Sequence, residues 1–335
     1  MRCIFCSNEG PPSLEHVFPS AIGGTITTDR VCASCNSELG SRVDAALCNF
    51  LPIRARRAKL GLAGNSGTAP EWYEIFLGDG KLVGETADRI QTTFDKATGK
   101  LVHRQLHHAS DVVLPNGQKG RQITIDLRDK DQIPKIIQRE RKRHNLPPLS
   151  DEQLAIEAQN FTAKTIERPL VMVNLEASFA YLQHAMLKIV YELAFLWLGE
   201  SYLDDPLAAK LRAAVISKDL ASADEYAANI FDARECKVFS DFWTPHEGHH
   251  LAYASLVAGK VIVAIRVFDL YAAGVIVSEE PDRYFRNHSD LTKLGFLAID
   301  SVSGKTIHTP FETESRRIAE MMTAERRKPP FADPL

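Results

Sequence analysis

The chain has 335 residues, of which 44% are hydrophobic and 25% charged, ordinary values for a globular protein with room for two domains. A net charge of −3 excludes a surface coated for indiscriminate nucleic-acid binding, since phosphate affinity comes from clustered Lys and Arg. Any such contact must be local.

The first fifty residues hold the most specific signal. Cys3-x2-Cys6 and Cys32-x2-Cys35 give four thiolates that can converge on one tetrahedral Zn²⁺. Two disulfides are the alternative, but close Cys-x2-Cys pairs seldom make good structural disulfides. No signal-peptide pattern precedes Cys3, so a reducing, cytoplasmic setting is expected. A closed four-thiolate site leaves no position open for substrate, and the chemistry must lie beside it. Between the pairs stands Glu15-His16, and Asn36 follows the last cysteine. Carboxylate and carboxamide oxygens from Glu15 and Asn36 suit a hard cation, Mg²⁺ or Mn²⁺, that keeps its waters and takes phosphate oxygens. His16, neutral near pH 7, suits a general base. Asn36 also reads as the N-cap of a helix over 37–49, on which Asp44 reads as a solvated or structural acid.

These residues resemble the HNH endonuclease family, the ββα-metal fold, in its zinc-stabilised variety. The likeness rests on Cys3, Cys6, the Glu-His-x-x-Pro run at 15–19, Gly23-Gly24 and Val31-Cys-x-x-Cys-Asn36. The resemblance implies that His16 activates water, that Glu15 and Asn36 hold the catalytic metal, and that cleaved ends carry 5′-phosphates. The family's middle Asn, which orients the base, falls near Thr27 here, with Thr28 and Asp29 as neighbouring substitutes. The likeness covers residues 1–50 and is silent beyond them.

After the module, Arg54, Arg56, Arg57 and Lys59 form a run without an acid. It reads equally as a phosphate-contacting helix and as a solvated helix face. Residues 61–70, rich in Gly, Ala and Ser, read as a linker. Strands are predicted over 72–77, 81–83, 90–94, 101–106 and 122–127. A helix is predicted over 131–145, whose run from Arg139 to His144, interrupted by Glu140, favours a solvated face. A helix capped by Ser150 is predicted to extend to about residue 164. The most apolar segment, 176–198, contains Lys188 and Glu192 and reads as a core helix rather than a membrane span. His184, Lys188 and Glu192 share one stripe, read as its solvated edge. Helices follow over 205–216 and 222–231, then strands over 252–257, 261–268, 273–277, 294–302 and 305–309, a charged helix over 312–327 and a frayed tail. Cys48 and Cys236 read as buried small hydrophobes. His246-Glu-Gly-His249-His250 is one residue short of the zinc-protease spacing and reads as a loop.

The expectation is an α+β protein: a zinc-stabilised HNH module (1–60), a linker (61–70), a larger mixed α+β domain (71–311) and a charged helix with tail (312–335). The second domain would bind DNA, form homo-oligomers or sense an activating ligand or partner. The layout suggests a metal-dependent endonuclease acting on nucleic acid, double-stranded DNA by preference, as in bacterial restriction or antiphage defence, with no membrane association. The alternative is a non-catalytic zinc-binding module that contacts nucleic acid or protein.

Overall fold

A computed structural model describes residues 1–64, 67–83, 88–113, 117–159, 161–166, 169–173, 178–226, 231–232 and 246–326. The chain forms two compact units, one of Met1–Trp72 together with Ala177–Leu335, the other of Tyr73–Glu176. The linear division expected from sequence is therefore replaced by an insertion: residues 73–176 stand by themselves, and the N-terminal module shares its unit with the C-terminal half.

The module begins with antiparallel strands β1 (Pro12–His16) and β2 (Thr27–Cys32). Helix α1 (Ala33–Leu39) starts directly after Cys32, and the chain continues through a wider turn at Gly40–Asp44 into α2 (Ala45–Asn49) and then α3 (Leu51–Leu60). Asn36 consequently lies inside the first helix and is not its N-cap, which is Cys32.

In the inserted unit, strands β3 (Gly78–Leu82), β4 (Arg89–Asp95) and β5 (Lys100–Gln105) form one antiparallel sheet, and β6 (His108–Val113) pairs with β7 (Lys119–Thr124) in a separate hairpin. Helices α4 (Ile133–Arg143) and α5 (Asp151–Glu157) follow. Strand β8 (Val171–Val173) closes the four-stranded sheet against β3. Ser150 and Gln153 cap α5 reciprocally, as the sequence suggests, but the helix ends at Glu157. Residues Trp72–Phe76 form a 3₁₀ helix instead of the expected strand; Tyr73 stacks on Phe94 with ring centroids 3.6 Å apart, a packing that alternation along the chain does not encode.

The chain returns to the first unit with α6 (Phe179–Leu198), α7 (Pro206–Ile216) and the short α8 (Ala221–Asp224), which replaces the helix expected over 222–231. Strands β9 (Phe231–Asp232), β10 (His249–Val257), β11 (Lys260–Val267), β12 (Tyr271–Ser278), β13 (Gly295–Asp300) and β14 (Thr306–Pro310) then make a sheet in the order β14-β13-β10-β11-β12-β9. The β10–β11 hairpin turns through Ala258 and Gly259, both at positive φ (50° and 74°), the backbone a two-residue turn requires. One face of this sheet packs on α6, and the other, carrying Leu251, Tyr253 and Phe296, meets Phe311 of the C-terminal helix Phe311–Arg326. The residue range of Cys236 and the expected tail lies outside the described residues.

A single core joins the module to the rest of its unit. Ile4, Phe5, Val17, Phe18 and Leu47 belong to the same buried cluster as Leu182, Ile189, Tyr191 and Ile265. Tyr191 donates its hydroxyl to the Ile4 carbonyl at 2.7 Å. The apolar helix α6 is buried nearly all round because the module covers one side and the sheet another.

Candidate functional site

The four sequence-predicted zinc ligands come together. The Sγ atoms of Cys3, Cys6, Cys32 and Cys35 all lie within 4.8 Å of one another. The first pair sits on a tight turn in which Ser7, at φ 60°, donates its N–H to the Cys3 carbonyl at 3.0 Å; the second opens α1, and the Cys32 N–H points at Cys3 Sγ at 3.4 Å. The Cys35 backbone N–H pulls the Cys32 thiol down to about 7, while burial pushes Cys35 well above the ordinary thiol range and raises Cys6. Four thiols so crowded cannot all ionise unaided, and a divalent cation is what lets such a set do so. The donor set therefore fits a metal, and its chemistry is that of zinc.

Along β1 the pleat sends neighbouring side chains to opposite faces. Glu15 turns inward and is 2% exposed, whereas His16 is half-buried. A register shift at Leu14 separates the Ser13–Val31 pair from Glu15–Thr28 and His16–Thr27. After β1 the chain bends through Gly23 and Gly24. A Cβ on Gly24 would stand 1.8 Å from the Phe18 carbonyl oxygen, and one on Gly23, at φ 85°, would stand 2.4 Å from Ser301 Cβ, so neither position admits a larger residue.

Glu15 forms an ion pair with the ammonium of Lys188 on α6. The same nitrogen donates to Asp44 Oδ1 and Oδ2 at 2.9 and 3.0 Å and approaches the His16 carbonyl at 3.4 Å, with Glu192 Oε2 at 3.7 Å. Lys188 and Glu192 are fully buried. The stripe His184, Lys188, Glu192 is thus not a solvated edge: His184 is buried too and bonds the Val215 carbonyl at 2.7 Å. Burial works against the Lys188 ammonium, but Glu192, Asp44 and Glu15 outweigh it and hold its pKa above the usual range. Burial also raises Asp44 to about 6 against the pull of Lys188, and raises Glu192 further. Both Glu192 carboxylate oxygens are buried without a hydrogen-bond partner among the described residues. Asp44, expected to be solvated or structural, is a member of this cluster.

The His16 imidazole is held below its ordinary pKa, first by burial and then by the Lys188 charge, with Asp44 opposing. It is neutral at pH 7 and able to accept a proton. Among the described residues no side chain hydrogen-bonds its ring; Thr27 is its backbone neighbour across the hairpin, and Thr28 Oγ1 accepts from the Arg30 N–H at 3.2 Å. Asn36 donates its amide to Ser13 Oγ and the Leu14 carbonyl, each at 2.9 Å. Its carboxamide oxygen is left as an acceptor.

Residues 3–51 match the family model described as HNH endonuclease. The N-terminal region is similar to the HNH endonuclease family. No curated protein and no solved structure matches the chain. The four cysteines expected to converge do so, whereas the sequence reading did not foresee Lys188 beside Glu15. The signal was present: a charge inside the most apolar helix persists only when paired.

The basic run beside the HNH module does not form an open cationic face. Arg57 is buried, donating to the Ala21 and Cys48 carbonyls at 2.7 and 3.1 Å. Arg56 pairs with Asp269 and donates to the Glu247 carbonyl at 2.8 Å, and Lys59 pairs with the Glu247 carboxylate. Acids distant in sequence take up the charges of Arg56 and Lys59. Of the weaker histidine candidates, His250 is buried: its Nδ1 accepts from the Phe268 N–H at 3.2 Å, so its Nε2 donates to the Ile22 carbonyl at 2.8 Å. His250 is a structural link between the sheet and the HNH module, and among the described residues the four cysteines are the only cluster with metal-ligand spacing.

Proposed function

We propose that the protein is a metal-dependent endonuclease that hydrolyses phosphodiester bonds, with duplex DNA as substrate. The observation that carries this reading is the neutral, half-buried His16 beside Glu15 on a strand whose fold is fixed by the four-cysteine cluster, within a segment that matches the HNH family. A ring nitrogen of His16 takes the proton of the attacking water. Asn36, anchored through its NH₂ to β1, presents its oxygen, and Glu15 presents the carboxylate oxygen that Lys188 leaves free. These two would hold Mg²⁺ or Mn²⁺, which when bound supplies stabilisation of the charge that develops on phosphate. Zinc at the cysteines has only a structural task.

A second reading has a specific observation behind it: Glu15 is ion-paired and nearly inaccessible, as it would be in a zinc module whose acid serves the fold alone. Plasmid cleavage with Mg²⁺ or Mn²⁺, wild type beside His16→Ala, separates the two. The nuclease reading expects metal-dependent nicking that falls on the order of 10²–10⁴-fold in the variant while the melting temperature stays put. Equal activity in both proteins, or none in a zinc-loaded wild type, sinks it.

A further inference from the structure

Arg56, Arg57 and Lys59 spend their charge within their own unit, whereas α4 of the inserted unit, IPKIIQRERKR, presents cations to solvent. Its one acid, Glu140, is only 4% exposed and faces inward, held by Arg121 at 3.5 Å and Arg143 at 2.7 Å. Ile136 is buried on the same side. Lys135, Arg139 and Lys142 are exposed and, at i, i+4 and i+7, share one face. Arg143 and His144 at the helix end are exposed too, Arg143 with its charge shared with Glu140. No acidic side chain stands within ion-pair distance of Lys135 or Lys142 among the described residues.

Stability of the helix does not account for this arrangement. Cations in the last turn complement the helix dipole, but Lys135 lies in the first turn, where the dipole opposes a positive charge. Arg139 also donates to His107 Nδ1 at 3.3 Å, and the His107 pKa is held below its ordinary value by burial and then by Arg139, with Glu140 opposing and Arg143 and His108 adding to the effect. Exposed cations at helical spacing, with no exposed acid on α4, match the regular negative charge of a nucleic-acid backbone.

We infer that the exposed face of α4, Lys135, Arg139 and Lys142, is a docking surface for the phosphate backbone of duplex DNA. The inference rests on the proposal that nucleic acid is the substrate, and it assigns the inserted unit the task of holding it. Contacts of this type are sequence-independent and sensitive to salt.

The test is fluorescence anisotropy of a labelled random duplex across a salt series. It compares full-length His16→Ala, without added Mg²⁺ so that no cleavage intervenes, with the same chain carrying Lys135→Gln, Arg139→Gln and Lys142→Gln. Glutamine keeps helix propensity, and circular dichroism confirms the fold. The expected result is at least about tenfold weaker binding and a salt slope lower by roughly 2–3, about 0.9 for each lost phosphate contact. Unchanged affinity and slope, or no duplex binding by the parent chain, overturns the inference. So does a loss confined to anionic vesicles or to an acidic protein. Helix-dependent binding in a chain whose wild type never cuts DNA would support the docking surface while removing the nuclease, so the two readings fail separately.

Discussion

The HNH module takes part in two polar clusters that solve one problem in opposite ways. Four thiols within 4.8 Å have no cation supplied by the protein, and their ionisation awaits a metal. Glu15, Asp44 and Glu192 crowd just as closely in charge, but the chain supplies Lys188 from α6. One cluster is completed from outside and the other from within. The difference teaches which groups in such a module respond to the medium and which respond to the rest of the fold.

Removing the external cation gives the largest effect. Chelation, or Cys32→Ser, is expected to unfold the HNH module with loss of bound zinc, because structural zinc contributes apparent free energies of about 10–16 kcal/mol in small zinc domains. Metal analysis alongside thermal melting reads it; a chelated protein that melts unchanged would remove the metal from the account. Removing the internal cation comes next. Lys188→Met strands buried carboxylates and is expected to cost about 3–5 kcal/mol in urea unfolding, with part recovered on adding Asp44→Asn. A cost below ~1 kcal/mol would mean that the buried pair is not under load.

His250 is a third kind of buried polar group, satisfied by backbone alone. Burial lowers its pKa from 6.5 to about 4. The folded state thus binds fewer protons than the unfolded state between those values, and its stabilisation is complete above pH 6.5 and lost as pH falls toward 4. The lost contribution is about 3 kcal/mol, and a His250→Asn chain should show a flatter stability profile over that window in denaturant titrations. The exposed pair Lys59–Glu247 sets the small end of the scale. Lys59→Gln should shift stability by less than about 1 kcal/mol, and a larger shift would erase the contrast between surface and interior charges.

What the sequence made legible was local. Cys-x2-Cys spacing, Glu15-His16 and Cys35-Asn36 act over a few residues, and hairpins such as 252–257 with 261–268 announce themselves by β-branched runs around a turn. What it hid depended on distance along the chain. The polar stripe of α6 reads as solvated because its partners, Glu15 and Asp44, are 173 and 144 residues away. The run at 54–59 reads as open because Glu247 and Asp269 lie far downstream. The insertion of 73–176 into a shared unit was invisible for the same reason: Gly and Ser between 61 and 70 suggest a boundary, whereas the common core of Phe5, Val17 and Tyr191 is a fact of packing.

The separation of Glu15 from Lys188 also has a meaning in time. Chains emerge from the ribosome N-terminus first, so the complete HNH sequence, with all four cysteines, is outside long before residue 188 has been joined. During that interval Glu15 and Asp44 have no ammonium between them, and the core that Leu182, Ile189 and Tyr191 complete is still missing. A chain stopped early, by truncation or a stalled ribosome, carries every motif of the module without the helix that settles its charges. The position of one lysine ties the maturation of the N-terminal site to synthesis as far as residue 188.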